Sequence, residues 1–279
     1  MAHPPIVLTT DFGLSDPYAG IMKGVVLSIN PDAILIDLTQ QIQPQNIRHG
    51  SFVLATSHRF FPESSIHVAV VDPGVGTDRR AVLLVTPTAS FLAPDNGLLS
   101  GVLGDYLDTP PINAERVILP SSLAAYHLTN SEYWLHPVSN TFHGRDIFAP
   151  VAAHLSLGVP PADLGQPIQD LAWLPTPQPT QQGDHILGEV IYADHYGNLV
   201  TNIPVGELAD AAKIMVEING RHIQGLSQTF QSPENNNEEG LLALGGSLGF
   251  LEIAVQNGSA ALVLNAGPGE KVRVSFNLP

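Results

Sequence analysis

The sequence predicts an α/β protein with a larger N-terminal domain, built on a mainly parallel central sheet, and a smaller C-terminal β-barrel-like domain. Two patterns support this prediction. In the first half, short apolar runs alternate with segments whose apolar residues recur at helical spacing, as in a parallel sheet covered by helices. Beyond residue 183 the pattern changes to short alternating runs separated by Gly, Asn and Pro, which is typical of a small sandwich or barrel.

The N-terminal pattern begins with a β-branched run and continues as strand, helix, strand, helix, strand. Helical spacing is clearest where Ile21, Val25 and Ile29 share one face and the helix stops before Pro31. A hairpin or mixed edge follows, and then two further helices. The predicted elements are strands 6–10, 33–38, 66–71, 81–86 and 90–93, and helices 18–30, 46–60, 98–104 and 147–157.

A proline-rich stretch, residues 159–183, separates the two patterns and predicts a linker or wrapping segment. We therefore place the N-terminal domain at 1–171, the linker at 172–183 and the C-terminal domain at 184–279. In the last of these, the predicted strands are 186–194, 212–218, 249–255 and 272–276, and residues 232–240 are predicted to form an exposed loop.

Composition limits the possible partners. The net charge of −15 lacks the basic stripe that a nucleic-acid-binding protein needs, so nucleic acid is not an expected partner. No apolar run is long enough to span a bilayer, so no membrane association is expected. The chain has no cysteine and its start lacks the features of a signal peptide, which predicts a cytoplasmic protein without thiolate chemistry.

Two carboxylates follow predicted strands. Asp11 comes after strand 6–10, and Asp72 comes after strand 66–71 in the segment VVDPGVGTDRR. Ligands bind at the carboxyl ends of strands in open α/β sheets, where a carboxylate can accept hydrogen bonds from the hydroxyls of a ribose. Capping of the following turn is the alternative for Asp11. The spacing of Asp72 and Arg79 allows the carboxylate to pair with the guanidinium. Such a pair could position a water for reaction, and the alternative is an ordinary ion pair that stabilises the loop.

Two more segments offer chemistry. His143 lies in FHGRD at a predicted helix entrance, although a structural role is the alternative for any one of eleven histidines. The spacing of His143 and Asp146 is weak evidence for a metal, so no metal site is predicted. In DHYGN, Asn198 suits an adenine edge and Tyr196 suits stacking on a flat ring, with a plain turn as the alternative. The signatures of P-loop, dinucleotide-binding and hydrolase-elbow proteins are missing from the sequence.

Together these segments resemble the S-adenosyl-L-methionine (SAM) hydrolases that form adenosine, also called SAM hydroxide adenosyltransferases, which are related to the bacterial fluorinase and chlorinase. The match runs in family order over nearly the whole chain. The matching segments are LTTDFGLSDPYAGIMKGV, VVDPGVGTDRR, APDNG, TFHGRDIFAPVAAHL, DHYGNLVTNI and LGFLEIAVQNGSA.

The resemblance implies hydrolysis of SAM by a positioned water, giving adenosine and L-methionine, with SAM as substrate and no further cofactor. It also implies a homotrimer whose sites lie between subunits. The implied catalytic residues are Asp72, Arg79 and His143, and the implied substrate-binding residues are Asp11, Tyr196, Asn198, Ser247, Glu252 and Val255.

Other functions stay open at this stage. Halogenating relatives lack the DPGVGT-x-RR form, which this chain has, and carry an added loop, which it does not show, so water is favoured over halide. The remaining alternatives are a SAM- or adenosine-binding protein without turnover and a metal-dependent phosphoesterase using Asp11, Asp72 and His143. Whether Arg80 or Arg145 acts directly is not decided by the sequence.

Overall fold

The structure is a computed structural model that describes residues 3–208, 214–231 and 240–276. The chain divides into two compact units, Met1–Thr176 and Pro177–Pro279. Of the predicted exposed loop at 232–240, all but the last residue lies outside the described residues. Within the described ranges, no helix is long and apolar enough to cross a membrane.

The first unit contains nine strands and five α-helices among its described residues. Its strands are β1 (Ile6–Thr10), β2 (Leu35–Thr39), β3 (Ser65–Val70), β4 (Ala81–Val85), β5 (Ala89–Pro94), β6 (Arg116–Ile118), β7 (Ala124–His127), β8 (Gln166–Ile168) and β9 (Asp170–Ala172). Its helices are α1 (Tyr18–Ile29), α2 (Ile47–Ser57), α3 (Ser100–Gly104), α4 (Ala149–Ser156) and α5 (Pro161–Leu164). Short 3₁₀ turns cover His58–Phe60 and Ser131–Tyr133, and a π-helical turn covers Gly144–Phe148.

Seven of these strands form one sheet in the order β2-β1-β3-β5-β4-β7-β8. The first four strands in that order run parallel, and the remaining pairs are antiparallel. The predicted α/β class and its mostly parallel sheet are confirmed. β4 and β5 form the predicted hairpin, which lies inside the sheet because β5 also pairs with β3.

Both faces of this sheet are buried. Alternate residues of β3 show this, since Ile66, Val68 and Val70 pack on one face while Ala69 and Val71 pack on the other. The first face is covered by α1 and α4, and the second by α2 and α3. A strand buried on both faces reads as a continuous apolar run, which is why β1 and β3 are visible in the sequence.

The second unit is an almost closed antiparallel sheet around one apolar core, which confirms the predicted barrel-like class. Its main strand order is β14-β13-β17-β11-β12-β16-β15, and β10 pairs with β11. Its elements are β10 (Thr180–Gln182), β11 (His185–Ala193), β12 (Leu199–Pro204), β13 (Ile214–Ile218), β14 (Arg221–Gln224), β15 (Leu241–Gly245), β16 (Phe250–Val255), β17 (Lys271–Phe276) and α6 (Ala260–Leu264).

The proline-rich stretch contains ordered elements. α5, β8 and β9 belong to the first unit, and Leu171 and Trp173 are buried in its core. Further on, β10 pairs with β11 of the second unit. The domain limits of 1–171 and 184–279 stay predictions.

Candidate active site

Two strand ends bring Asp11 and Asp72 to the same edge of the sheet. Thr10, the last residue of β1, pairs with Val70, the last residue of β3. The chain leaves β1 to form β2 on one side and later forms β3 on the other side. Such a reversal of strand order opens a crevice at the carboxyl ends of the strands, where ligands bind in open α/β sheets.

The loop from Asp72 to Arg80 is folded by local turns. Val75 N–H donates to the carbonyl of Asp72 at 3.2 Å, and the Thr77 hydroxyl donates to the carbonyl of Gly74 at 2.7 Å. Gly76 has φ of +79°, and a Cβ there would collide with the carbonyl oxygen of Asn140. Only glycine adopts this backbone without strain, so the loop can approach the chain that leads to His143.

Arg79 joins the two other predicted catalytic residues. Its Nε donates to Asp72 Oδ1 at 2.8 Å, and its Nη2 donates to Asp72 Oδ2 in a shorter bond. The same Nη2 lies 2.8 Å from Nδ1 of His143. The side chains of Asp72 and Arg79 are only 6% and 9% exposed, so this pair is shielded from solvent. The structure thus brings Asp72, Arg79 and His143 together.

The contact with Arg79 fixes the tautomer of His143. A guanidinium has only donors, so Nδ1 of His143 must accept and the ring proton of the neutral form must be on Nε2. Burial, and then the charge of Arg79, lower the pKa of His143 below its usual 6.5, against the opposing effect of Asp72 and Asp146. His143 is therefore neutral near pH 7 and offers an N–H donor at Nε2.

The backbone around His143 is held by Asp146, which is fully buried. Asp146 accepts hydrogen bonds from the guanidinium of Arg145 at 2.6 and 3.0 Å and from Ser139 N–H at 2.8 Å. His143 immediately precedes the π-helical turn Gly144–Phe148. π-helical turns within helices are rare and often occur at functional sites.

Asp72 and His143 border one cavity of about 470 Å³ in the first unit, whereas Arg79 is not among its lining residues. One wall consists of Phe12, Tyr18 and Phe142, whose ring centroids lie 5.3 to 5.7 Å apart. The cavity is lined by Asp11, Phe12, Asp16, Tyr18, Pro44, Gln45, Val70, Asp72, Pro73, Val75, Thr141, Phe142, His143 and Gly144. Among these described lining residues there are three carboxylates and no lysine or arginine.

Some of the lining residues were not singled out from the sequence. Asp16 lies in the TTDFGLSDPY segment just before α1, so the matching family segment could have indicated it as a site residue. Gln45 gave no signal. It adopts φ of +62°, unusual for a residue other than glycine, and its N–H donates to Asp11 Oδ2 at 2.8 Å.

Asn198 and Tyr196 lie in the second unit, on the turn after β11. Asp194 holds this turn, because its Oδ1 accepts from the N–H groups of Tyr196 and Asn198 at 2.9 and 2.8 Å. Its Oδ2 accepts from Nδ2 of Asn198 at 2.8 Å, which fixes the amide plane. Tyr196 is 75% exposed. Asp194 was not chosen from the sequence, although it belongs to the DHYGN segment.

The remaining predicted binding residues are in the same unit. Glu252 is buried on β16 opposite Val200, and burial, followed by the charge of Asp194, raises its pKa. Ser247 is exposed in the turn before β16, and Val255 ends that strand.

Arg80 and Arg145 are not among the lining residues. Arg145 pairs with Asp146, and Arg80 pairs with Asp95 and Asp170. No three His, Asp or Glu side chains in residues 3–208, 214–231 and 240–276 are grouped so that they would hold a metal ion.

Comparison with known proteins agrees over both units. Residues 6–165 match the SAM hydroxide adenosyltransferase N-terminal domain, and residues 188–273 match the C-terminal domain of the same name. A curated relative, the (R)-S-adenosyl-L-methionine hydrolase of Salinispora arenicola, is 38% identical, with 99% of each chain covered. The fluorinase of Nocardia brasiliensis is more distant, at 26% identity over 98% of this chain and 97% of its own.

A solved structure is also similar. The crystal structure of an uncharacterized conserved protein from Thermotoga maritima superimposes with a TM-score of 0.84 and 34% identity, covering 97% of this chain and 99% of the other.

Proposed function

The chain belongs to the SAM hydroxide adenosyltransferase family, and on this basis we propose that it hydrolyses SAM at C5′ of the ribose to give adenosine and L-methionine. The observation that carries the proposal is the Asp72–Arg79–His143 network, with its shielded Asp72–Arg79 pair, beside a cavity at the carboxyl ends of β1 and β3. The name of the relative from Salinispora arenicola, 38% identical, supports the same activity.

The charge of the cavity suits this substrate. SAM carries a positive sulfonium, and Asp11, Asp16 and Asp72 place three carboxylates around the space. A sulfonium leaves as a neutral thioether, so no group is needed to protonate the leaving group. The protein has to align one water behind C5′ and exclude others, which is catalysis by positioning.

In the proposed reaction the water oxygen attacks C5′, and the electrons of the C5′–S bond pass to sulfur. Asp72 accepts a hydrogen bond from the water and takes its proton, since a carboxylate keeps accepting capacity beyond its bonds to Arg79. His143 donates from Nε2 to the same oxygen and stabilises its hydroxide character. Arg79 orients both side chains.

We propose that Asp11 binds the ribose hydroxyls, using accepting capacity beyond its bond from Gln45. Asn198 is proposed to bind adenine, because its amide is already oriented by Asp194, and the exposed Tyr196 to stack on the base. Ser247, Glu252 and Val255 are proposed as further substrate contacts on their family resemblance. The reaction requires a removable proton and no cofactor, so we expect activity to survive a chelator.

Water rather than halide is the proposed nucleophile. A halide would need a site for an anion, whereas Asp72 puts a negative charge where the nucleophile must lie. The family match over both domains and the lower identity to fluorinase support the same choice.

The test compares the wild type with Asp72→Asn and with Asp78→Asn, a matched change at an exposed carboxylate of the same loop. We expect adenosine and L-methionine from the wild type and from Asp78→Asn, and kcat reduced about 10²- to 10⁴-fold in Asp72→Asn. Binding of SAM without turnover by the wild type would leave only a binding protein. Formation of 5′-chloroadenosine in chloride would make it a halogenase, and activity lost with chelator would favour a metal enzyme.

We also propose a homotrimer whose sites combine the N-terminal unit of one subunit with the C-terminal unit of its neighbour, as the family resemblance implies. Coexpression of Asp72→Asn and Asn198→Ala subunits tests this arrangement. If each site uses two subunits, every mixed trimer has one intact site in three, and a random mixture regains about a quarter of the wild-type sites, although each variant alone is impaired. Sites built within one subunit would give no recovery.

A further inference from the structure

We propose that Asp95 and Asn96, in the turn after β5, form a clamp that fixes both ends of the catalytic loop 72–80 and so positions Asp72 and Arg79. This inference rests on the proposed function for its effect on turnover. It gives a task to the APDNG segment, which the reaction itself does not use.

The sheet order places the turn after β5 between the two ends of the loop. The loop leaves from β3 on one side of β5 and re-enters the sheet as β4 on the other side. Its two ends are therefore separated by the width of β5, about 10 Å across two strand spacings. Residue Pro94, at the end of β5, pairs with Ala81, where β4 begins. Asp95 and Asn96 thus follow β5 at the point where the loop crosses it.

Asn96 holds the first end. Its Nδ2 donates to the carbonyl of Val71 at 2.9 Å, and Val71 immediately precedes Asp72. Its Oδ1 accepts from Leu98 N–H at 3.1 Å, which orients the amide. The carbonyl of Val71 follows the last residue of β3, so this bond continues the fixed backbone up to Asp72.

Asp95 holds the second end. Its backbone N–H donates to the carbonyl of Arg80 at 2.9 Å, and its Oδ2 accepts from Nε of Arg80 at 2.8 Å. The Asp95 side chain is 3% exposed, and its Oδ1 accepts from Ala172 N–H at 2.7 Å. Arg80 immediately follows Arg79, so a fixed Arg80 limits where the guanidinium of Arg79 can lie.

The loop between these anchors depends on them. Between Asp72 and Arg79 the backbone hydrogen bonds close local turns, such as the bond from Thr77 N–H to the carbonyl of Gly74 at 3.2 Å. A displacement of about 1 Å can reduce turnover about 100-fold, so we expect loosening of either end to lower turnover. Asn96, and Asp95 through its bond from Arg80, are therefore positioning residues.

Arg116 provides a matched control. Its Nη2 donates to Asp95 Oδ2 at 3.0 Å and its Nε to Asp170 Oδ2 at 2.6 Å, so it binds the same two carboxylates as Arg80. Arg116 lies on β6, outside the catalytic loop, and is 42% exposed. Replacing Arg116 or Arg80 by Gln removes the same kind of ion pair, but only Arg80→Gln removes side-chain bonds that hold a residue of the loop.

The experiment measures kcat and KM for SAM in Arg80→Gln, Asn96→Asp and Arg116→Gln. Asn96→Asp keeps the acceptor for Leu98 and loses the donor to Val71, so it is a second test if Arg80→Gln folds poorly. We expect kcat about 10- to 100-fold lower in the two clamp variants, with KM within about threefold, and kcat within about twofold of wild type in Arg116→Gln. An equal loss in Arg80→Gln and Arg116→Gln, or a loss carried by KM, would overturn the clamp.

Amide hydrogen exchange separates this inference from the proposed function. The amides of Val75, Thr77 and Arg79 should exchange faster in Arg80→Gln and Asn96→Asp than in Arg116→Gln, whether or not the protein turns over SAM. A wild type without SAM hydrolysis would refute the proposed function, and exchange alone would then decide the clamp. Equal exchange in all three variants would refute the clamp.

Discussion

At the scale of single residues, the position of Arg79 between Asp72 and His143 determines what each of them does. By donating to Nδ1 of His143, Arg79 leaves Nε2 as the donor and keeps the ring neutral. By donating to both oxygens of Asp72, it fixes the plane of the carboxylate. One guanidinium therefore orients the acceptor and the donor that the proposed water needs.

This arrangement predicts the acid side of the pH profile. Protonation of His143 at Nδ1 would remove the acceptor for Arg79 and place two cations in contact. Because burial and Arg79 lower the pKa of His143 from 6.5, the midpoint of the acid decline in kcat should lie below pH 6.5, where His143 gains its proton. The check is kcat against pH for the wild type and for His143→Gln, a less active variant that should lack this decline. The same decline in the variant would assign it to another group.

At the scale of elements, the catalytic loop depends on one glycine. Gly76 has φ of +79° and lies against the carbonyl of Asn140, whereas Gly74 has ordinary space, with its nearest neighbour at 3.6 Å. Gly76→Ala should cost about 1–2 kcal/mol of backbone strain and shift the loop away from His143, so kcat falls about tenfold or more. Gly74→Ala, measured alongside by kcat and thermal unfolding, should show the smaller effect. Equal effects would contradict the proposed contact.

Elements also show what the sequence can and cannot predict. β1 and β3 are recognisable because both of their faces are buried, and Asp11 and Asp72 follow directly from where those strands stop. β10 and β14 were missed, since their residues are mostly exposed and polar, and β12 and β15 were missed although both are largely buried. The C-terminal strands that were found include β11 and β13, in which buried and less buried residues alternate.

Contacts between residues that are far apart in the sequence leave no sequence pattern from which they could be predicted. Arg79 and His143 are 64 positions apart, and Asn96 and Val71 are 25 positions apart. The family resemblance named Asp72, Arg79 and His143 as a set. The tautomer of His143, the clamp formed by Asp95 and Asn96, and the positive φ of Gln45 depend on contacts that exist only in the folded chain. The sequence left the roles of Arg80 and Arg145 open. In the structure each forms ion pairs, with Asp95 and Asp146 respectively, and neither lines the cavity.

At the scale of the whole molecule, a buried histidine should set the acid limit of stability. His67 lies on β3 with both ring nitrogens lacking a hydrogen-bond partner among the described residues, stacked on Phe91 at 5.0 Å. Burial, and then His58, lower its pKa to about 4. The ring of His58 also packs edge-on to His67, and its nearest carboxylate is Asp105 at 3.6 Å.

The unfolded chain binds a proton at His67 near pH 6.5, while the folded chain resists it until about pH 4. The contribution of His67 to the free energy of unfolding should therefore be fully present above pH 6.5 and fall by about 3 kcal/mol as the pH drops to about 4. Urea unfolding at several pH values checks this prediction. His67→Phe should flatten the decline, and a change at the exposed His222 should not. An unchanged decline in His67→Phe would assign the acid limit to other groups.

The most direct measurement of the central claim follows the oxygen of the attacking water. The purified protein is incubated with SAM in ¹⁸O-water, and the adenosine is examined by mass spectrometry after fragmentation. If water attacks C5′ beside Asp72, the label appears on the 5′-hydroxyl of adenosine, and L-methionine is released without label. Adenosine without ¹⁸O at that position, or no adenosine at all, would contradict the account.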